Sequence, residues 1–218
     1  FNMGNILLLR DMGYKVDVAC NFKDGNSCSD EQITKLISKL TDLNVRCYQI
    51  DFTRQMGNVS KHVKAFWQLE KLLKESEYDF VHCHSPIGGV LSRMVCHKMK
   101  VKCIYTAHGF HFFKGAPLKN WMLFFPIEYL LSFYTDVLIT INNMDYSIAK
   151  KYFKMKTIKL IPGVGINSDK YLVDDNFNRE VYRQSLGISN NDIMLFSIGE
   201  LNKNKNHEIV IRAMSRLS

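Results

Sequence analysis

The chain has 218 residues, 46% of them hydrophobic, and a formal charge of +8 at neutral pH. That length allows one large domain or a domain with part of a second, and the apolar content is ample for a packed core. The positive balance points to an anionic partner, whether nucleic acid, a phosphorylated small molecule or an acidic membrane surface, without choosing among them.

In chain order, Ile6, Leu7, Leu9 and Met12 precede Gly13 at a helix C-cap, and Tyr14 to Cys20 then reads as a strand. Further strands are expected over Val45 to Asp51, Asp79 to His84, Val101 to Ala107, Asp136 to Ile141 and Thr157 to Ile161. Helices lie between them, the clearest from Val59 to Lys74, where Val59, Val63, Phe66, Leu69 and Leu73 recur at helical spacing. Strand, helix and strand joined by short connections mean βαβ units, hence a parallel sheet covered on both faces.

Trp121 to Ile141 is the most apolar stretch, but Pro126, Glu128 and Asp136 interrupt it, which argues against a membrane span. Ile193 to Gly199 reads as a fresh buried strand, followed by a polar ELNKNKN segment and a helix from His207 to Leu217. One strand and one helix do not make a domain. The expected organisation is α/β: a Rossmann-like, doubly wound parallel sheet over residues 1–161 lacking its first strand, a connector over 162–178, and the start of a second Rossmann-like domain over 179–218.

The six cysteines lack CxxC spacing and fall mostly in apolar strand-like runs, so they read as free thiols in a reducing cytoplasm. Cys83, His84, Cys96, His97, Cys103, His108 and His111 crowd one window, yet their spacing fits neither a zinc finger nor an HExxH helix, and no metal or other cofactor is expected. His97, beside Lys98, reads as a solvated helix residue.

Chemistry is expected at the carboxyl ends of the strands, where open α/β sheets bind ligands. His82 and His84 flank Cys83 at one such end, so the strand period puts both histidines on one face. Ser85 and a glycine pair, Gly88 and Gly89, follow at the start of a helix, whose free N–H groups attract anions and hydroxyl-rich ligands. The stretch YTAHGFHFFKG then places His108 and His111 just past the next strand. Near the end, Lys205 lies between a strand ending at Gly199 and a helix start, where an ammonium and helix N–H groups converge on phosphate. The segment does not match the GxxxxGK[ST] pattern of P-loop NTPases.

DFVHCHSPIGG, YTAHGFHFF, TDVLITIN, IPGVGINSDKY and SIGELNKNKNHE come in the order and spacing of family 4 of the retaining glycosyltransferases, bacterial sugar transferases with the two-domain GT-B fold. The resemblance covers essentially the whole chain. It implies an acceptor-side first domain and a second domain for the nucleotide sugar, with the reaction in the crevice between them. The family's T-x-H matches Thr106 and His108, so His108 takes the catalytic position facing the donor sugar. Gly109 then lets the backbone approach that sugar. His84, Ser85, Phe110 and His111 fall on the acceptor side, Phe112 being the alternative ring to Phe110.

The family's G-R-L-x-x-x-K reads here as Gly199, Glu200, Leu201, Asn202, Lys203, Asn204 and Lys205. Lysine matches, and glutamate replaces the arginine that grips the donor diphosphate. The phosphate duty therefore falls on Lys205, alone or with Lys203 or a residue further along, and Glu200 holds an acceptor group or a lysine instead.

The resemblance implies a hexosyltransferase-type enzyme of surface polysaccharide synthesis. It would move a sugar, with retention, from a UDP-sugar or similar nucleotide-diphosphate donor to a glycan or lipid-linked acceptor. This segment by itself would be inactive. The implied location is cytoplasmic, at the inner face of the cell membrane, with Lys114, Lys119, Trp121, Phe124 and Phe125 forming a peripheral contact with anionic lipid. The rival enzyme reading is a GT-B nucleotide-sugar epimerase, which needs acid/base carboxylates. A non-catalytic nucleotide or nucleic-acid binding module is the rival of another class. The lysines are scattered over helix faces and not interleaved with exposed aromatics, so no nucleic-acid partner is expected.

Overall fold

The computed structural model describes residues 2–24, 28–53, 55, 57–84, 86–165, 172–173, 176–203 and 205–216. The chain divides into two compact units, Phe1–Gly165 and Ile166–Ser218. That division falls inside the stretch read as a connector, of which residues 166–171, 174 and 175, like Ser85, lie outside the described residues.

The first unit alternates helix and strand: α1 (Met3–Asp11), β1 (Asp17–Cys20), α2 (Asp30–Asp42), β2 (Arg46–Gln49), α3 (Val59–Glu75), β3 (Phe80–His84), α4 (Pro86–Met99), β4 (Lys102–Ala107), α5 (Leu118–Ser132), β5 (Val137–Thr140), α6 (Asn143–Tyr152) and β6 (Thr157–Leu160). Among the described residues all strand pairs are parallel, in two sheets ordered β1-β2 and β3-β4-β5-β6. This is the expected Rossmann-like α/β layout, with strands shorter than the apolar runs that announced them.

Local chemistry sets the element ends. Ser29 and Gln32 form a reciprocal capping box at the start of α2. Asn44 and Lys100, at φ 51 and φ 58, end α2 and α4 in the left-handed conformation.

Cys83, Tyr105 and Leu138 are aligned across β3, β4 and β5 and share one face. That face carries the main core, in which they pack with Leu69 and Leu73 of α3, Val95 and Cys96 of α4, and Ala149 of α6. On the opposite face His82, Ile104, Val137 and Ile139 are only half-buried. The expectation of a sheet covered on both faces therefore holds for one face of β3-β6 within this unit. In α3 the buried stripe runs through Ala65, Leu69, Leu72 and Leu73, while Val59 and Val63 are exposed.

The second unit contains α7 (Arg179–Ser185) and α8 (His207–Met214). Arg183 ties the end of α7 to the following turn by donating to the carbonyls of Ser189 at 2.6 Å and Asp192 at 2.7 Å. The strand expected over Ile193 to Gly199 is not formed, and Ile193, Phe196 and Ile198 are exposed. An apolar run becomes a strand only when a neighbour accepts its backbone hydrogen bonds, and no described residue pairs with this one.

Candidate functional site

Within the β3–β4 ladder, His82 is opposite Ile104 and His84 is opposite Thr106. His82, His84 and Thr106 consequently share the face away from Cys83 and Tyr105, as the strand period predicts. His82 Nε2 lies 2.8 Å from Thr106 Oγ1. The rings of His82 and His84 are 4.3 Å apart between centroids, and His84 Nδ1 is 3.3 Å from His108 Nε2. Thr106 is buried, His82 and His84 are half-buried and His108 is exposed, so the row leads from the sheet to solvent.

Burial lowers the pKa of all three imidazoles, because it penalises the charged form. His84 is driven furthest, to about 3, first by burial and then by its neighbours His82 and His108. At neutral pH the cluster is uncharged, and each ring offers one donor and one acceptor. Imidazoles this weakly basic are poor proton acceptors and good hydrogen-bond partners for hydroxyl groups. The arrangement suits holding a polyol more than abstracting a proton.

After β4 the chain turns at Gly109, whose φ of 141° favours glycine. An added Cβ there would meet nothing within 4 Å, so the backbone conformation and not the space calls for glycine. The turn sends His108 outward and Phe110 inward. Phe110 stacks on Phe112 at 4.9 Å and meets the edge of Phe153 at 5.5 Å. Both Phe110 and Phe112 are buried, and the post-strand loop uses these rings as core anchors. His111 is exposed, and its ring lies 4.6 Å from Phe124 of α5.

Gly88 and Gly89 at the start of α4 are buried, and a Cβ on Gly89 would come within 2.7 Å of the Tyr105 ring. Close helix-to-sheet approach accounts for that glycine. One turn further, the fully buried Arg93 lies over the Tyr105 ring at 4.1 Å and donates to the Gly89 carbonyl and to both Glu128 oxygens of α5. The sequence reading missed this pair. It also missed Asn142 and Asp145 at the start of α6, where Asp145 Oδ2 accepts from the Phe110 N–H at 3.0 Å. The one local signal for them was an Asn followed three residues later by Asp just after a strand, the mark of a helix N-terminus.

In the second unit, Gly199 packs against the Lys205 stem: a Cβ there would lie 3.2 Å from Lys205 Cγ and 3.3 Å from His207 Nε2. Glu200 accepts from Asn202 Nδ2 at 2.9 Å, and the Lys205 N–H donates to Asn202 Oδ1 at 2.9 Å. Glu200 thus closes the loop on an asparagine. His97, expected in solvent, is exposed but stacks on Tyr134 at 3.9 Å. Cys20, Cys47, Cys83, Cys96 and Cys103 are free thiols, the last three of them buried, and Cys28 is exposed. Among the described residues no group of three or more His, Cys, Asp or Glu is arranged to hold a metal ion, and no helix is long and apolar enough to cross a membrane.

Residues 5–143 match the family model described as glycosyl transferase 4-like. The chain is 36% identical over its whole length to a putative glycosyltransferase, EpsD, of Bacillus subtilis (strain 168), covering 54% of that protein. It is 29% identical over 80% of its length to the UDP-Gal:alpha-D-GlcNAc-diphosphoundecaprenol alpha-1,3-galactosyltransferase of Escherichia coli, covering 46% of that protein. The chain spans about half the length of these curated relatives. Among solved structures, Acinetobacter baumannii MurG aligns over 76% of this chain and 41% of its own, at 14% identity and a TM-score of 0.46.

Proposed function

From the premise that the chain belongs to the glycosyl transferase 4-like family, we propose that it is part of a retaining glycosyltransferase of surface polysaccharide synthesis. The donor is a nucleotide-diphosphate sugar of the UDP class and the acceptor a glycan or lipid-linked glycan. The observation that carries this reading is the row of three uncharged imidazoles, His82, His84 and His108, at the carboxyl ends of β3 and β4. The name of the Escherichia coli relative specifies UDP-Gal and a diphosphoundecaprenol-linked acceptor, which supports the same classes for this chain.

In this reading His108, exposed and aimed outward by Gly109, holds a hydroxyl of the donor sugar near the acceptor, with His84 behind it on the acceptor side. Orientation is what such a contact supplies, and correct placement alone removes several kcal/mol from a bimolecular barrier. The costly event is the growth of negative charge on the leaving diphosphate. Lys205 and the N-terminus of α8 meet that charge electrostatically, without a metal.

Trp121, Phe124 and Phe125 are partly buried and pack against the core. The exposed side of α5 is apolar nonetheless, with Leu118, Met122, Leu123 and Leu130 exposed, and Lys114 and Lys119 are exposed before and in its first turn. An apolar face flanked by lysines is suited to peripheral contact with anionic lipid, where a lipid-linked acceptor resides.

The deciding experiment incubates the full-length protein with UDP-sugars and a polyprenyl-diphosphate-linked acceptor, then reads the anomeric configuration of the product by NMR. A new glycosidic bond with the donor's configuration supports the reading. Release of an epimerised free nucleotide sugar without acceptor would replace it with the epimerase.

A further inference from the structure

We propose that Asp145 is a positioning residue for sugar transfer, acting through the loop that carries His108; this rests on the reading of His108 as the sugar-facing group. Asp145 is the third residue of α6 and only 3% exposed. In a capping box the side chain at this position folds back onto the backbone N–H of the N-cap residue. Here it does something else. Asp145 Oδ2 accepts from the side chain of the N-cap residue Asn142 at 2.8 Å and from the backbone N–H of Phe110 at 3.0 Å. Asn142 Oδ1 in turn accepts from the Asp145 N–H at 2.8 Å, so the two side chains fix each other.

The consequence falls on His108. It lies between Ala107, the last residue of β4, and Gly109, beyond which Phe110 is held by its N–H and by its ring. Gly109 is therefore the one residue between His108 and a fixed point, and it is the residue with the greatest backbone freedom. A glycine turn beside a substrate-facing histidine would leave the backbone that carries it free to shift. The carboxylate removes that freedom with a charge-assisted hydrogen bond, stronger and shorter than a neutral one. Residues 108 and 145 belong to different βα units, so the clamp also couples the end of β4 to the start of α6.

Two measurements test this. In amide hydrogen exchange of the unaltered protein, the Phe110 N–H is expected to exchange at least ~10-fold more slowly than that of exposed His111; equal rates would overturn the clamp. In full-length enzyme, Asp145→Ala is expected to lower kcat on the order of 10-fold with little change in donor KM, since small displacements near the reacting centre are costly. Asp145→Asn keeps an oxygen able to accept both hydrogen bonds and is expected to restore kcat to within about threefold. Should Asp145→Ala fail to fold, the exchange measurement and the Asn variant still decide. In a His108→Ala background, Asp145→Ala should add no further loss; a full additional loss would mean that Asp145 does not act through His108. An unaffected rate in His108→Ala alone would overturn the functional reading, whereas loss in His108→Ala with none in Asp145→Ala would overturn only the positioning role.

Discussion

His84 Nδ1 and His108 Nε2 lie 3.3 Å apart although 24 residues separate them in the chain. Parallel pairing of β3 with β4 brings them together, and burial keeps both uncharged. The pair is thus a neutral contact at a strand end, suited to hydroxyl recognition.

A pH dependence follows. A histidine in an unfolded chain titrates near 6.5, whereas His84 in the fold titrates at about 3 and His82 and His108 below their ordinary value. Between those values the unfolded chain takes up protons that the fold excludes, so stability is lost as pH falls from about 6.5 toward about 3. Histidine resonances followed by NMR should show His84 unprotonated at pH 5, and a His84 midpoint near 6.5 would contradict the account.

The buried ion pair between α4 and α5 predicts a large stability effect. Arg93 has no exposed side-chain surface, and Glu128 grips it through both oxygens. Glu128→Leu would leave an uncompensated buried charge, a loss of about 3–5 kcal/mol. Urea unfolding checks this, and a change below about 1 kcal/mol, the level typical of exposed pairs, would show the pair to be solvated.

Much of this was legible in the chain and some was not, for reasons tied to range. The one-faced placement of His82 and His84 follows from a period of two, and the helix at residues 59–75 from a period near 3.6. Both are local patterns. The contacts of Asp145 with Phe110 and of Glu128 with Arg93 each span 35 residues, and no local pattern announces them. The inward direction of Phe110 depends on the φ of Gly109, which sequence does not display. Residues 193–199 have strand composition but no described partner strand, and composition does not supply a ladder.

Membrane contact through α5 predicts a particular lipid dependence. Binding to liposomes should rise with anionic lipid, fall as salt screens the lysines, and weaken when Lys114 and Lys119 are both changed to Glu. Sedimentation reads all three. Equal binding to neutral and anionic vesicles, or none to either, would leave the exposed leucines of α5 for another role.

Donor binding through Lys205 and the α8 N-terminus predicts that EDTA leaves transfer largely intact. Lys205→Ala should raise the donor KM by roughly 10-fold, the scale of one charge-assisted contact. Loss of transfer in EDTA with restoration by Mn²⁺ or Mg²⁺ would contradict this assignment.

The central claim is that His108 touches the sugar, and the most direct measurement is the transfer rate of full-length His108→Ala beside His97→Ala. His97 is a surface histidine stacked on Tyr134 and serves as the control. The account predicts at least a tenfold fall in kcat/KM for His108→Ala, with unfolding midpoints unchanged and His97→Ala close to the parent. Equal rates in the parent and His108→Ala would contradict it.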